Sequence, residues 1–164
     1  MNTAANTALL SKIISGGQTG VDRGALDAAI ELGIEHGGKC PRGRLAEDGR
    51  IPRKYLMQET RSGRYSFRTE RNVIEADGTL ILHYGPISGG TAFTRRMAIK
   101  NHQPFKQFDL TTPPELEEVV QWIVDHKIQT LNVAGPRESS CDGIGSLARQ
   151  LCLELFTLVR SIQE

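Results

Sequence analysis

The residues of this chain that are best suited to chemistry lie in three glycine-rich turns. The turns span residues 16–20, 85–91 and 135–140, and each follows an apolar run that is typical of a buried strand. Glycine lets a ligand approach the backbone, and a helix that starts after such a turn offers unpaired N–H groups with a partial positive charge. This combination is suited to anions such as phosphate. The residues that we predict to bind a ligand in these turns are Gly16, Gly17, Gln18, Thr19, Gly20, Ser88, Gly89, Gly90, Thr91, Gly135 and Arg137.

The first turn matches neither of two familiar phosphate-binding patterns. No Gly-Lys-Ser/Thr sequence follows it, and its glycines lack the G-x-G-x-x-G spacing. Glycine also permits close packing of a helix on a strand, and the side chains of Gln18 and Thr19 are able to cap the following helix instead of binding a ligand. The presence of three such turns at strand ends favours a ligand site over packing alone.

Arginines lie near all three turns, and arginine is the side chain best suited to a bidentate grip on an oxyanion. Arg137, in a Gly-Pro-Arg-Glu turn, is the strongest candidate, and Arg68 is a second. Residues 38–68 are rich in glycine, proline and charge and show no sustained period. Such a segment is either a solvated insertion or a cover over an anionic ligand, to which Arg42 and Arg44 would contribute.

Candidates for acid/base chemistry and for metal binding are less distinctive. No pair of carboxylates has a diagnostic spacing, and each carboxylate has an ordinary alternative as a helix cap, a turn residue or an ion-pair member. The acidic candidates are Asp22, Glu70, Asp77, Glu138 and Asp142. The four histidines form no metal-ligand pattern, so we predict no metal site. Cys141 begins a helix without an identifiable histidine base beside it, and Cys152 is expected in the core.

The elements that must position these residues alternate between strands and helices. Strands alternating with helices predict an α/β domain, a Rossmann-like three-layer fold with a mainly parallel sheet, in which ligands bind at the carboxyl ends of the strands. Asp22, Thr69 and either Ser140 or Asp142 are the expected N-caps of three of the helices. We predict strands over 12–15, 34–37, 79–84, 104–110 and 130–134, and helices over 22–32, 69–76, 91–101, 115–126 and about 142–161.

Length and composition predict a single cytoplasmic domain. The 164 residues are enough for one hydrophobic core. We place the domain at residues 12–164, after a flexible N-terminal tail at residues 1–11. A net charge of +1 with mixed signs makes nucleic acid or an anionic membrane an unexpected main partner. Three cysteines without CxxC spacing suit a reducing compartment, and neither a signal peptide nor a run of membrane-spanning length is present in the sequence.

Five motifs in order resemble a known family. They start with Ile13 to Arg23 (IISGGQTGVDR) and continue through GGKCPRGR with AEDG, RTERNV, SGGT and LNVAGPRE, so that the likeness covers residues 12–158. The chain thus resembles the "putative molybdenum carrier" family, also described as circularly permuted YpsA-like proteins. That family is part of a wider Rossmann-like SLOG superfamily, which includes phosphoribohydrolases described as lysine decarboxylase-like and a DNA-processing protein.

The resemblance implies a ligand class more firmly than a reaction. Members of the superfamily are thought to bind nucleotides or related phosphorylated molecules, and they commonly self-associate, so that a homodimer is expected. The phosphoribohydrolases carry a Gly-Gly-x-Gly-Thr-x-x-Glu pattern whose glutamate takes part in breaking an N-glycosidic bond. In this chain Thr94 stands at the glutamate position, and a hydroxyl does not replace a carboxylate as a base.

The leading hypothesis is therefore binding of a phosphorylated small ligand, either a nucleotide derivative or a molybdopterin-type cofactor. Backbone N–H groups and Arg137 would hold the phosphate, and Arg42, Arg44 or Arg68 would close over it. The alternative is a nucleoside-phosphate N-glycosidase that uses Glu70 or Glu138 as its acid/base. A DNA-processing module is a third hypothesis, which the balanced charge disfavours.

Overall fold

The computed structural model describes residues 8–112 and 115–163. In chain order its elements are β1 (Lys12–Ile14), α1 (Val21–Leu32), β2 (Glu35–Gly37), β3 (Lys39–Cys40), β4 (Leu45–Ala46), β5 (Gly49–Arg50), β6 (Gln58–Glu59), α2 (Tyr65–Glu75), β7 (Gly78–His83), α3 (Gly89–Lys100), β8 (Phe105–Asp109), α4 (Leu116–Asp125), β9 (Thr130–Ala134), a short 3-10 turn (Glu138–Ser140) and α5 (Ile144–Ser161).

The main sheet has five parallel strands in the order β2-β1-β9-β7-β8. The last strand in sequence, β9, lies in the middle, where Asn132 is in register with Ile14 of β1 and Thr79 of β7. All six residues of β7 are buried, as expected for a strand that is covered on both faces. The α/β, mainly parallel, Rossmann-like fold expected from the sequence is confirmed.

Helices cover both faces of the sheet. Helix α1 packs on α5 and α5 on α4, whereas α2 packs on α3. Leu80 and Leu82 of β7 belong to the core shared with α1, α4 and α5, and the alternation of a strand directs Thr79, Ile81 and His83 to the other face. That other face, at the carboxyl ends of β1, β7 and β9, contains the site described below.

The predicted helices exist, but their expected N-caps were wrong. Helix α1 begins after Gly20, and Asp22 lies inside its first turn. Helix α2 begins four residues before Thr69, whose hydroxyl donates to the Tyr65 carbonyl within the helix. Neither Ser140 nor Asp142 caps α5, which begins after Gly143 in the left-handed conformation. Short polar side chains predict a cap only locally, whereas tertiary contacts decide where the backbone leaves the helix.

The segment that lacked periodicity in the sequence is ordered. Between residues 38 and 64 the chain forms two small two-stranded sheets, β3 with β6 and β4 with β5. A second apolar cluster anchors it to helix α1 and consists of Leu26, Cys40, Ala46, Ile51 and Tyr55. Strands of two residues are too short to show a period, which explains why the sequence did not predict them.

Parts of three predicted features lie outside the residues that the structure describes. Residues 1–7 of the expected tail, Pro113-Pro114 before α4, and Glu164 lie outside the described residues. Leu10 is described, is only 4% exposed and donates its backbone N–H to the Ile128 carbonyl at 3.0 Å. Residue 10 therefore belongs to the packed domain and not to the expected tail of residues 1–11.

Candidate functional site

A cavity of about 500 Å³ opens at the carboxyl ends of β1, β9 and β7, on the face covered by α2 and α3. Its floor is formed by the turn after β1 and by the ends of β9 and β7, and its sides by the first turns of α2 and α3. This volume lies in the range of small-molecule sites. The predicted ligand residues that line it are Gly16, Gln18, Arg68, Ser88, Gly89, Gly90, Thr91, Gly135 and Arg137.

The first turn of α3 presents backbone donors to this cavity. No side chain caps the helix, because Ser88 forms no capping hydrogen bond. A Cβ built on Gly89 or Gly90 meets no atom of the described residues within 4 Å, so the space beside these two glycines is open. The first N–H groups of a helix have no intrahelical acceptor and carry a partial positive charge. This end of the cavity therefore suits an anion.

The glycines of the other two turns serve packing instead. A Cβ on Gly20 would lie 2.8 Å from the Arg137 carbonyl carbon, and one on Gly135 would lie 2.6 Å from the Val21 side chain. A Cβ on Gly16 would lie 2.6 Å from the guanidinium carbon of Arg68. Helix α1 is also closed at its start, since the Val21 N–H donates to the Pro136 carbonyl at 3.1 Å. The three turns thus look alike in sequence, but only the turn before α3 leaves its backbone open.

A buried ion pair forms the inner wall of the cavity. Arg68 Nη1 donates to the Gly16 carbonyl at 2.6 Å and lies 3.6 Å from Asp22 Oδ2. Asp22 Oδ2 also accepts the Gln18 N–H at 3.2 Å. Burial raises the pKa of Asp22 to about 6, although the nearby Arg68 charge and the backbone N–H groups of Gln18 and Gly16 act in the opposite direction. A carboxylate that lines a cleft with a raised pKa is a candidate functional group.

Glu47 occupies the groups that the sequence assigned to a ligand in the first and third turns. Its carboxylate accepts from the Thr19 hydroxyl and from both the N–H (3.1 Å) and the hydroxyl of Ser139. Its Oε2 lies 3.5 Å from Arg137 Nε. These hydrogen bonds, first that from the Ser139 hydroxyl and then that from Thr19, hold the pKa of Glu47 below its usual value. An internal carboxylate thus stands where Thr19 was expected to meet a phosphate.

Two of the predicted arginines, Arg42 and Arg44, do not line the cavity. Arg44 donates to the carbonyls of Ile51 (3.1 Å), Pro52 (2.8 Å) and Tyr55 (2.9 Å) and so ties the segment around β4 and β5 together. Arg42 is exposed. Gly17 lies outside the lining as well, and a Cβ on it would lie 3.0 Å from the Ile51 side chain.

Both predicted catalytic carboxylates lie outside the lining. Glu70 Oε2 is 3.1 Å from Lys100 Nζ and accepts from the Asn101 amide at 3.2 Å, which joins α2 to α3. Glu138 accepts the N–H groups of Gly143 (2.6 Å) and Gly145 (2.9 Å) and thereby caps α5 from a distance. The structure does not bring Glu70 and Glu138 to the cavity with the other predicted residues.

Sequence reasoning missed Asn132 as a cavity residue. Asn132 is 3% exposed, lines the cavity, and donates its Nδ2 to Thr79 Oγ1 at 3.2 Å. A polar residue inside the apolar strand Thr130–Ala134 was the available signal. His83 also lines the cavity, and its Nδ1 donates to the Gly85 carbonyl at 2.7 Å.

Neither a metal-ion cluster nor a membrane-spanning helix is found in the described part of the chain. Among the residues that the structure describes, no three histidine, cysteine, aspartate or glutamate side chains gather as a metal ion would require. In the same part of the chain, none of the helices combines the length and apolar character that crossing a membrane demands.

Comparison with known proteins identifies relatives of this chain. None of the curated proteins matches it. A crystal structure described as a "Putative molybdenum carrier protein" from Syntrophus aciditrophicus SB is 44% identical to it, with a TM-score of 0.85, and the match covers 91% of this chain and 96% of the other. The model of the circularly permuted YpsA SLOG family matches residues 13–156. A middle strand that comes last in sequence suits a permuted fold, and with these matches the chain belongs to the circularly permuted YpsA SLOG family.

Proposed function

We propose that this protein binds a phosphorylated small molecule in the cavity between α2 and α3, with the phosphate at the start of α3. The observation that carries this proposal is the open space beside Gly89 and Gly90 at an uncapped helix start. Phosphate oxygens accept hydrogen bonds, and the uncapped N–H groups of α3 supply donors at a positive helix end. Arg137, 51% exposed at the rim of the same cavity, is a further cation, although its Nε lies 3.5 Å from the Glu47 carboxylate.

The rest of the cavity suits a planar heterocycle. Tyr65 and Phe93 contribute aromatic rings to the lining, and Arg68 lies 5.3 Å from the centre of the Tyr65 ring. Polar groups of Asp22 and Asn132 lie in the inner wall. A ligand with a phosphate at one end and a flat polar ring at the other would fit both ends of the cavity. Both a nucleotide and a molybdopterin-type cofactor have this form.

The name of the relative favours the molybdopterin-type cofactor, which would be cargo for a carrier. The 44% identical protein is described as a putative molybdenum carrier. In this chain the phosphate of such a cofactor would lie against Gly89 to Thr91, and its ring would lie toward Arg68. No specific observation favours the glycosidase alternative, because Glu70 and Glu138 are engaged elsewhere and Thr94 donates its hydroxyl to the Gly90 carbonyl at 3.0 Å.

A charge placed at the α3 start tests the proposal. In Gly90→Asp an internal carboxylate would occupy the anion end of the cavity, while an acidic residue in the first turn favours the helix itself. Gly63→Asp is the matched control, because Gly63 also has open space around it, has no positive φ and lies outside the cavity lining. Thermal unfolding is measured with inorganic phosphate, nucleoside monophosphates and molybdopterin cofactor.

A ligand at about one hundred times its dissociation constant adds roughly 2.7 kcal/mol, which corresponds to roughly 5 to 10 °C for a domain of this size. We expect such a shift for at least one phosphorylated ligand in the unchanged protein and in Gly63→Asp, and its loss in Gly90→Asp. A shift that persists in Gly90→Asp would place the phosphate elsewhere. If no phosphorylated ligand shifts the transition of the unchanged protein, the proposed function is wrong.

A further inference from the structure

The inner wall of the cavity contains acceptor atoms that are buried and yet unused. Asp22 is 6% exposed and Asn132 3% exposed. Asp22 Oδ2 accepts the Gln18 N–H and Asn132 Nδ2 donates to Thr79. The Gly16 N–H also lies near the Asp22 carboxylate, but no hydrogen bond of normal geometry from a described residue reaches Asp22 Oδ1 or Asn132 Oδ1. Both residues line the cavity.

These two oxygens face space that a ligand or water can enter. Among the described residues, every side-chain nitrogen or oxygen that is fully shielded from solvent has a hydrogen-bond partner. An oxygen without a partner on such a buried residue must therefore touch accessible space, and the cavity is the space that Asp22 and Asn132 line. A buried acceptor without a partner is costly, so an occupant that donates to it gains free energy on binding.

One donor lies beside these acceptors. Arg68 uses Nε for the Tyr65 carbonyl and Nη1 for the Gly16 carbonyl, and its Nη2 donates to no described residue. Arg68 also lines the cavity and lies next to Asp22. The inner wall thus presents one free guanidinium donor and two free acceptor oxygens to whatever lies between α2 and α3.

We propose that the cavity selects a heterocycle whose edge carries one acceptor and neighbouring N–H donors, the 2-aminopyrimidin-4-one edge that guanine and pterin rings share, and that Asp22 determines this specificity. In such a ring the oxo group accepts from Arg68, whereas the ring N–H and the 2-amino group donate to Asp22 and Asn132. Adenine has a single donor group and a ring nitrogen acceptor on the corresponding edge, so one of the two oxygens would stay unpaired. This inference rests on the proposed function, because the phosphate at α3 holds the ring in the cavity.

The charge of Asp22 agrees with its proposed role as an acceptor for the N–H donors of the ring. With a pKa of about 6, Asp22 is ionised at neutral pH and acts as an acceptor. The charged groups that face it are Arg68 on α2 and Arg23 on its own helix. A hydrogen bond from an N–H group to a charged acceptor is stronger than one to a neutral acceptor.

The alternative is that Asp22 only holds the turn after β1. That structural role uses Oδ2, through the Gln18 N–H and Arg68, and leaves Oδ1 free. Asn in place of Asp22 keeps an oxygen for the Gln18 N–H but removes the charge that favours ring donors. A purely structural residue would change stability and the binding of all ligands together, whereas a specificity residue changes the ratio between ligands.

The test compares four ligands by isothermal titration calorimetry at pH 7.5, with the unchanged protein and with Asp22→Asn. The ligands are GMP, IMP, which differs by loss of the 2-amino group, AMP, and neopterin monophosphate. We expect GMP or neopterin monophosphate to bind at least tenfold more tightly than IMP and AMP, since a polar site rejects an analogue that lacks its hydrogen-bonding group. In Asp22→Asn the preference for GMP over AMP should fall by roughly tenfold.

The outcomes distinguish failure of the specificity inference from failure of the proposed phosphate site. The better of GMP and neopterin monophosphate identifies the source of the ring. Equal binding of GMP, IMP and AMP by the unchanged protein overturns the specificity inference and leaves the proposed phosphate site intact, and this comparison holds even if Asp22→Asn fails to fold. A GMP preference that survives in Asp22→Asn removes Asp22 from the role. If none of the four ligands binds, the proposed function fails together with the inference.

Discussion

Replacing Asp22 by asparagine should change how stability depends on pH. The pKa of Asp22 is about 6 in the folded protein, compared with 3.8 for an aspartate side chain exposed to water, because burial disfavours the charged carboxylate. The folded state therefore binds the proton more tightly than the unfolded state. The stabilising contribution of this proton is present at low pH and is lost as the pH rises from about 4 to about 6. Asparagine does not titrate, so Asp22→Asn lacks this loss.

The size of this change in the free energy of unfolding follows from the pKa shift of Asp22. Roughly two pKa units correspond to about 3 kcal/mol in total, of which roughly 2 kcal/mol fall between pH 4 and pH 7. We therefore expect the free energy of unfolding of the unchanged protein, relative to that of Asp22→Asn, to fall by roughly 2 kcal/mol over this range. For a domain of this size the corresponding relative change in Tm is roughly 4 to 8 °C.

Urea unfolding of both proteins at closely spaced pH values between 4 and 7.5 measures this difference. Other carboxylates titrate in the same range, but they are present in both proteins and cancel in the difference. Asp48→Asn is a control that should lack this change, because the hydrogen bonds from Arg23 hold the pKa of Asp48 below its usual value and its titration therefore lies below this pH range. A difference between the unchanged protein and Asp22→Asn that stays constant from pH 4 to pH 7 would refute the reasoning.

Three further predictions concern the buried ion pair, the segment of residues 38–64 and the oligomeric state. Arg68→Ala should destabilise the fold by about 3 to 5 kcal/mol at pH 7, as measured by urea unfolding, because it leaves the buried Asp22 carboxylate without its partner, and the loss should shrink at pH 4.5; an equal loss at both values would contradict this account. Glu47→Gln should make residues 38–64 more sensitive to limited proteolysis, because the contacts with Thr19 and Ser139 weaken; cleavage no faster than in Glu35→Gln, a change in an exposed ion pair, would argue against a tethering role. Light scattering should give twice the chain mass of 18.1 kDa if the expected homodimer forms, and 18.1 kDa would count against it.

The order of the elements was predictable because it depends on local patterns. Apolar runs such as Thr79–Leu82 and the amphipathic helices between them produce an alternating α/β chain, and the turns at strand ends mark the binding edge of a parallel sheet. The first helix ends at residue 32 as expected, and Gly33 after it is in the left-handed conformation and donates its N–H to the Ala29 and Ile30 carbonyls. The five ordered motifs indicated the family, which the comparisons confirm.

The strand order and the roles of individual residues required the tertiary structure. Nothing in the run Thr130–Ala134 shows that the last strand lies between the first strand and β7, because sheet pairing joins residues more than one hundred positions apart. Likewise the carboxylate of Glu47 and the hydroxyl of Ser139 meet across ninety-two positions. Such contacts determine whether a hydroxyl or an arginine faces a ligand or is already paired.

The glycines show this division most clearly. By itself, the sequence determined that small residues occupy three turns at one edge of a parallel sheet, since glycine and strand periodicity are local properties. Only the tertiary structure decided that Gly20 and Gly135 are small because other backbone and side chains press against them, whereas Gly89 and Gly90 border open space. The physical reason is that a missing Cβ either makes room for a neighbour of the same chain or leaves room for a ligand, and only the positions of distant residues distinguish these two cases.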